Sequence, residues 1–114
     1  MRFTQSLREN RDFRRLYARG RTTAGGLLAV YVRPNRTGGN RLGLTVSGKL
    51  GGAVVRNRVR RRLKEAYRLR EASLLSGFDL VVVARSRAVT ASYWELDREL
   101  ARLLARMGVS RPKP

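Results

Sequence analysis

A dense run of arginines in the middle of the chain is the residue cluster best suited to chemistry. Between Arg56 and Arg70 eight side chains are cationic and only one, Glu65, is a carboxylate. One carboxylate cannot neutralise eight cations, so we expect the compensating charge to come from outside the protein. A guanidinium binds phosphate through two parallel N–H groups, and a nucleic-acid backbone presents phosphates in a regular row. The cluster therefore predicts a nucleic-acid-binding surface.

This run must form a helix to present its cations on one face. Its apolar residues recur at intervals of three and four, which is the period of an amphipathic α-helix. They are Val55, Val59, Leu63 and Ala66, with Tyr67 and Leu69 at the edges of the stripe. We expect a helix over about 53–71 that docks this stripe on a sheet and turns a basic band outward. The band comprises Arg56, Asn57, Arg60, Arg61, Lys64 and Arg68.

The composition fits a single folded domain with an unusual charge. The chain has 114 residues, 42% of them hydrophobic, and a net charge of +18. Such a charge points to nucleic acid as the partner and, less strongly, to an anionic membrane surface. We take 1–114 as one domain, with an ordered core over about 5–108 and a frayed basic tail over 109–114.

Several kinds of chemistry have no support in the sequence. The chain contains no cysteine and no histidine, which argues against zinc fingers, thiol nucleophiles and disulfides. No two carboxylates have a spacing that demands a two-metal site, so we predict no catalytic and no metal-ligating residue. No apolar run approaches the roughly 20 residues of a membrane span, and no secretory signal is evident. We therefore expect a cytoplasmic protein.

Two further helices are predicted on either side of the basic one. Apolar residues at i, i+3 and i+4 predict a helix over Asn10–Arg19, with Gly20 at its end. Ser92 and Glu95 have the spacing of a capping box, which opens the last helix. That helix is expected to end at Gly108.

The remaining segments predict a sheet. Residues 27–32 and 41–47 read as two strands of an antiparallel hairpin, and 21–25 as a short edge strand. The nearly continuous apolar run at 79–84 predicts a strand that is buried on both faces and parallel to a neighbour. Residues 1–8 are expected to be a loose lead-in. The order helix, strands, helix, strand, helix predicts an α+β or α/β two-layer sandwich around a mixed sheet.

Aromatic side chains provide the other candidates for contact with RNA, because unpaired bases stack on exposed rings. Phe13, Tyr17 and Tyr31 are the candidates, with core packing as the alternative. Tyr67, Phe78 and Trp94 are expected to be core or helix-docking residues.

Three motifs together resemble one known family, and the similarity extends over roughly residues 5–105. The first is Arg56-Asn57-x-x-Arg60-Arg61-x-x-Lys64-Glu65, the second is Asp12-Phe13-x-x-Leu16-Tyr17-x-x-Gly20, and the third runs from Leu42 to Ser47. They are similar to the RNR motif, first helix and central strand of the bacterial ribonuclease P protein subunit. The chain departs from that pattern at Gly48, where the family usually has a basic residue, and at Lys64, where it usually has arginine.

This resemblance implies an accessory subunit of a tRNA-processing endoribonuclease whose catalysis resides in RNA. It implies that the protein binds the catalytic RNA and the 5′ leader of precursor tRNA, with Mg²⁺ held mainly by the RNA and with no further protein partner. The implied RNA contacts are Arg56, Asn57, Arg58, Arg60, Arg61, Lys64 and Arg68. The implied leader cleft is lined by Phe13, Tyr17, Tyr31, Thr45, Ser47 and Lys49. The family fold also implies an uncommon left-handed crossover around the basic helix.

Charge and composition alone leave two other functions open. One is a ribosomal or other structured-RNA-binding protein without associated cleavage. The other is a DNA-compacting architectural protein, which is expected to use a minor-groove arm or wedge.

Overall fold

The structure is a computed structural model, and it describes residues 3–111. Within this range the chain forms five strands and three α-helices. In chain order they are β1 Thr4–Ser6, α1 Asn10–Arg19, β2 Arg21–Ala24, β3 Leu28–Pro34, β4 Asn40–Thr45, α2 Ala53–Arg70, β5 Phe78–Ala84 and α3 Tyr93–Arg106. The predictions of all three helices, of the edge strand at 21–25 and of the buried strand at 79–84 are confirmed.

The five strands form one mixed sheet in the order β1-β4-β5-β3-β2. The central strand β5 runs parallel to β4 and antiparallel to β3, with Leu80 opposite Leu42 on one side and Val82 opposite Val30 on the other. The predicted hairpin between β3 and β4 is therefore wrong, because β5 lies between them. The physical reason is that β5 is almost entirely apolar, and only the centre of the sheet covers both its faces and both its edges.

Both ends of the described chain are more ordered than predicted. Instead of a loose lead-in, residues 4–6 form β1, which pairs in parallel with β4. The hydroxyls of Thr4 and Tyr67 are hydrogen-bonded at 2.9 Å, which ties β1 to α2. At the other end Val109 is buried and Ser110 forms a β-bridge with Leu74, so the predicted fraying is wrong for these residues. The end of the predicted tail, 112–114, lies outside the described residues.

Helices cover both faces of the sheet. Alternate residues of β5 face opposite ways, so Leu80 and Val82 pack in the main core with α2 and α3. Val81 packs on the other face against Leu16 of α1. The predicted α+β class with a mixed sheet is confirmed. The two layers of the predicted sandwich are the sheet and the pair of helices α2 and α3. The connection from β4 to the parallel strand β5 passes through the basic helix α2, as expected. The left-handedness of this crossover stays a prediction.

The start of α3 follows the predicted pattern except at one residue. Ser92 Oγ accepts the amide of Glu95 at 3.1 Å and Glu95 Oε1 accepts the amide of Ser92 at 3.0 Å, which completes the capping box. The prediction that Trp94 is a core or helix-docking residue is wrong, because its side chain is 69% exposed. The buried face of the helix begins instead at Leu96, and residue 94 falls on the outer face of the same turn.

Candidate nucleic-acid interface

The basic helix α2 docks on the sheet through the apolar stripe that its sequence predicts. Val59, Leu63, Ala66 and Tyr67 are buried, whereas Leu69 is 61% exposed and does not belong to the stripe. The helix begins after Gly51, whose φ of +148° is a conformation that side chains disfavour. This turn changes the direction of the chain sharply from β4 into α2, and it brings the first turns of the helix beside that strand.

A groove of about 420 Å³ lies between α2, β4 and α1. The side chains that α2 contributes to it are Asn57, Arg60, Arg61 and Lys64. The opposite wall consists of Ser6, Leu7, Phe13 and residues 42–44 of β4. We call this feature the basic groove. Its three cations form no salt bridge within residues 3–111, so they are free to bind an anion.

The other predicted contacts on α2 do not line this groove. Arg56 and Arg58 are half-buried, and the Nε atom of each is buried without a hydrogen-bond partner among the described residues. Arg68 is exposed but donates to both carboxylate oxygens of Glu65, at 3.0 and 2.6 Å. This hydrogen-bonded pair lowers the pKa of Glu65 and raises that of Arg68. Part of the charge of Arg68 is therefore already compensated within the protein.

The three predicted aromatic residues form one cluster between α1 and the sheet. The rings of Tyr17 and Tyr31 meet edge to face with centroids 5.0 Å apart, and those of Phe13 and Tyr17 lie 6.5 Å apart. The hydroxyls of Tyr17 and Thr45 are hydrogen-bonded at 2.7 Å. Tyr17 is 41% exposed, and Phe13 and Tyr31 are half-buried. We call this feature the aromatic cleft, and its rings remain open to a ligand.

Ser47 and Lys49 follow the end of β4 and are both exposed. The Ser47 hydroxyl accepts the backbone amide of Lys49 at 3.2 Å, which fixes a short turn rather than a ligand contact. The ammonium group of Lys49 is therefore the part of this turn that is available to an anion.

Phe13 joins the aromatic cleft to the basic groove, because it lines both. Its position depends on Gly43 of β4, where an added Cβ would come within 2.6 Å of two carbons of the phenyl ring. A glycine inside a strand often marks such a close approach, and this signal was available in the sequence but was not used. Gly43 and the neighbouring wall residues Ser6 and Leu7 belong to this candidate site and were not among the predicted site residues.

A partly buried ionic network links α1 to the sheet close to Phe13. Asp79 of β5 accepts from Arg41 Nε at 2.8 Å and Nη2 at 2.6 Å, and from Asn35 Nδ2 at 3.0 Å. The same guanidinium reaches Asp12 of α1 at 3.4 Å. Burial opposes ionisation of Asp79, but the hydrogen bonds from Arg41 and Asn35 outweigh it and lower the pKa of this carboxyl. The pKa of Arg41 is raised by the same pairing.

Within residues 3–111 no group of three or more acidic side chains has a metal-binding arrangement. Several carboxylates among these residues are engaged by arginines, as in the pairs of Asp97 with Arg70 and Glu99 with Arg102. Over the same residues no helix has the length and hydropathy needed to cross a bilayer.

Fold and site together define a small basic α+β protein with a basic groove that continues into an aromatic cleft. Comparison with known proteins then identifies the family, because residues 1–108 match the family described as Ribonuclease P. The chain belongs to this family. It is 40% identical over 109 residues to the ribonuclease P protein component of Alkaliphilus oremlandii (strain OhILAs), covering 96% of each chain.

Solved structures agree with this assignment. The RNase P protein of Staphylococcus aureus has a TM-score of 0.86 at 30% identity, over 93% of this chain and 97% of that one. The RNase P protein from Thermotoga maritima has a TM-score of 0.82 at 30% identity, over 90% and 96% of the two chains. Family membership makes the chain a protein component of a tRNA-processing ribonucleoprotein, in which it partners an RNA subunit. The ribosomal and DNA-compacting alternatives are thereby set aside.

Proposed function

We propose that the chain binds the catalytic RNA of ribonuclease P through the basic groove and holds the 5′ leader of precursor tRNA in the aromatic cleft. The observation that carries this proposal is the continuity of the two features through Phe13. A single-stranded leader needs cations for its phosphates and rings for its bases. Both are present along one path on this surface.

The cations of the groove suit phosphate contacts for two reasons. Arg60, Arg61 and Lys64 have no carboxylate partner within residues 3–111, so binding a phosphate does not require an existing salt bridge to break. Arg60 and Arg61 also present planar forks that can engage two phosphate oxygens at once, whereas Lys64 acts as a point charge.

The aromatic cleft suits an unpaired strand rather than a duplex. Tyr17 and Tyr31 are already packed edge to face, so their positions are set before a ligand arrives and little conformational entropy is lost on binding. The hydrogen bond between the hydroxyls of Tyr17 and Thr45 restrains the ring further. Each base stacked on such a ring is expected to contribute about 1–3 kcal/mol.

Cleavage is assigned in this proposal to the RNA subunit, with Mg²⁺ held mainly by that RNA. Magnesium is bound in proteins through oxygen ligands, often carboxylates. The acidic residues beside the groove and cleft fit this role poorly, because Asp12 and Asp79 are both engaged by Arg41. The part of this chain is then to position the leader and to neutralise phosphates.

The direct test adds the protein to the ribonuclease P RNA of the same organism at low magnesium and measures cleavage of precursor tRNA. We expect strong stimulation, with the leader released at the mature 5′ end, and no cleavage by the protein alone. Tight RNA binding without stimulation would instead indicate a structured-RNA binder. Robust cleavage without RNA, after contaminating nucleases are excluded, would contradict the assignment of catalysis to the RNA.

A further inference from the structure

The first turn of α3 carries the one tryptophan of the chain on the molecular surface. The side chain of Trp94 is 69% exposed, and its ring lies edge to face with that of Tyr93 at a centroid distance of 5.2 Å. Tyr93 packs against the main core, and its hydroxyl is buried. The indole therefore contacts a ring that belongs to the core and keeps most of its own surface open to solvent.

Arginines from three segments lie around the start of α3, where this indole is found. Arg62 of α2 donates to the carbonyl oxygen of Ala91 at 3.0 Å, which places its guanidinium at the start of α3. Arg98 follows Trp94 by four residues and so lies beside it on the helix surface. Arg87, in the short turn before α3, lines the same surface cavity as Arg98.

These arginines are not held in direct salt bridges. Arg62, Arg87 and Arg98 form no salt bridge with a carboxylate of residues 3–111. Glu95 accepts the amide of Ser92 in the capping box and interacts with Arg87 and Arg98 only through longer-range Coulombic attraction, and Asp97 pairs with Arg70 at 2.6 Å. An open aromatic face is thus flanked by arginines whose guanidinium groups form no direct salt bridge.

We infer that Trp94 is a stacking platform for an unpaired base of RNA, with Arg62 and Arg98 binding the phosphates that flank this base. The inference rests on the proposed function for the presence of RNA, and it adds a contact surface outside the groove and the cleft. An exposed ring with adjacent arginines is the combination that single strands use. The site lies on the side of α2 that faces α3, whereas the basic groove lies on the side that faces β4. An RNA bound at both would therefore contact α2 from two directions.

Charge decides between RNA and the other partners that an exposed indole could attract. A second copy of this chain also carries a net charge of +18, and two such surfaces repel each other. A lipid surface is expected to need a broad apolar face, whereas here arginines surround one indole. An anionic strand with exposed bases satisfies both the ring and the cations.

The experiment uses the intrinsic fluorescence of the full chain, which reports on Trp94 alone because no other tryptophan is present. The protein is titrated with the ribonuclease P RNA of the same organism, and acrylamide quenching is measured before and after. We expect the indole to be accessible in the free protein and protected in the complex. In parallel, Trp94→Ala should weaken RNA binding about 5- to 150-fold, the effect of removing one stacked base. Trp94→Phe keeps a ring and should retain most of the affinity.

Three outcomes would overturn this inference. The first is an indole that stays accessible to acrylamide in the complex, and the second is equal RNA affinity of the wild type and Trp94→Ala. The third is protection that needs no RNA and grows with protein concentration, which would indicate a second copy of the chain. If wild-type protein stimulates cleavage while either of the first two is observed, the proposed function stands and only this site is refuted. If wild-type protein neither binds the RNA nor stimulates cleavage, the proposed function itself has failed.

Discussion

Replacing the two groove arginines by glutamine, in the double variant Arg60→Gln and Arg61→Gln, tests the proposed RNA interface most directly. Neither guanidinium contributes to the core: Arg61 is exposed, and Arg60 is half-buried with a long 3.4 Å hydrogen bond to Asn57. Glutamine is also a good helix former. We therefore expect the free energy of unfolding to change by about 0.5 kcal/mol or less.

The effect on RNA binding follows from the release of counterions. Each phosphate that a cation neutralises contributes about 0.7 to 0.9 to the slope of log affinity against log salt. Loss of two contacts should therefore make this slope shallower by about 1.4 to 1.8. Between ~50 and ~200 mM salt, the ratio of wild-type to variant affinity should then fall by about 7- to 12-fold. The defect is predicted to be largest at low salt and to narrow as salt is added.

The assay is a series of equilibrium titrations of ribonuclease P RNA at several salt concentrations, with thermal unfolding measured on the same samples. The matched control is Arg102→Gln with Arg106→Gln, which removes the same charge from α3, away from the groove. This control should lower affinity slightly and leave the slope close to that of the wild type. If the groove variant and the control have the same slope, Arg60 and Arg61 do not contact phosphates. If the groove variant melts far below the wild type while binding is intact, the two arginines are structural.

Three further changes separate ligand contacts from stability. Phe13→Ala should weaken binding of precursors that carry a leader more than binding of mature tRNA, by about 5- to 150-fold for one lost stack. Equal weakening of both would assign Phe13 a packing role. Asp79→Asn should lower the free energy of unfolding by about 1–3 kcal/mol at neutral pH, because it removes a charged partner of Arg41. The pKa of Asp79 is lowered in the folded state. The stabilisation by its carboxylate should therefore be present above about pH 4 and be lost as pH falls through the folded pKa. If the wild type and Asp79→Asn still differ by the same free energy of unfolding in acid, the ion pair with Arg41 is not the cause. Ser92→Ala should cost about 1 kcal/mol through loss of the cap with no change in RNA affinity, and a large binding defect would contradict a purely structural role for the Ser92–Glu95 box.

The helices could be predicted from the sequence because their signals are local. The period of apolar residues in α2 and the Ser92–Glu95 box each lie within a few turns of chain, and the structure reproduces both. Trp94 shows the limit of such reasoning. An aromatic residue beside a capping box could face either the core or solvent, and only the packing of α3 on the sheet decides which.

The sheet order could not be predicted because it depends on pairings between residues far apart in the chain. The apolar character of β5 indicated a central strand, but it did not indicate which two strands flank it. β1 is three polar residues, Thr4–Ser6, and has no alternating pattern that could reveal it. This strand forms because the edge of β4 offers backbone partners and because Thr4 hydrogen-bonds the hydroxyl of Tyr67, which is 63 residues away in sequence.

The aromatic cleft depends on this same sheet order, although its residues were named from the sequence. Tyr31 lies on β3 and Thr45 on β4, and the two strands are separated by β5. In the predicted hairpin they would have been on adjacent strands, about 5 Å apart in the hydrogen-bonding direction. The inserted strand doubles this separation, and the ring of Tyr17 spans it by contacting Tyr31 and reaching Thr45 with its hydroxyl. The width of the cleft is therefore set by β5, although none of the side chains predicted to bind the leader lies on this strand.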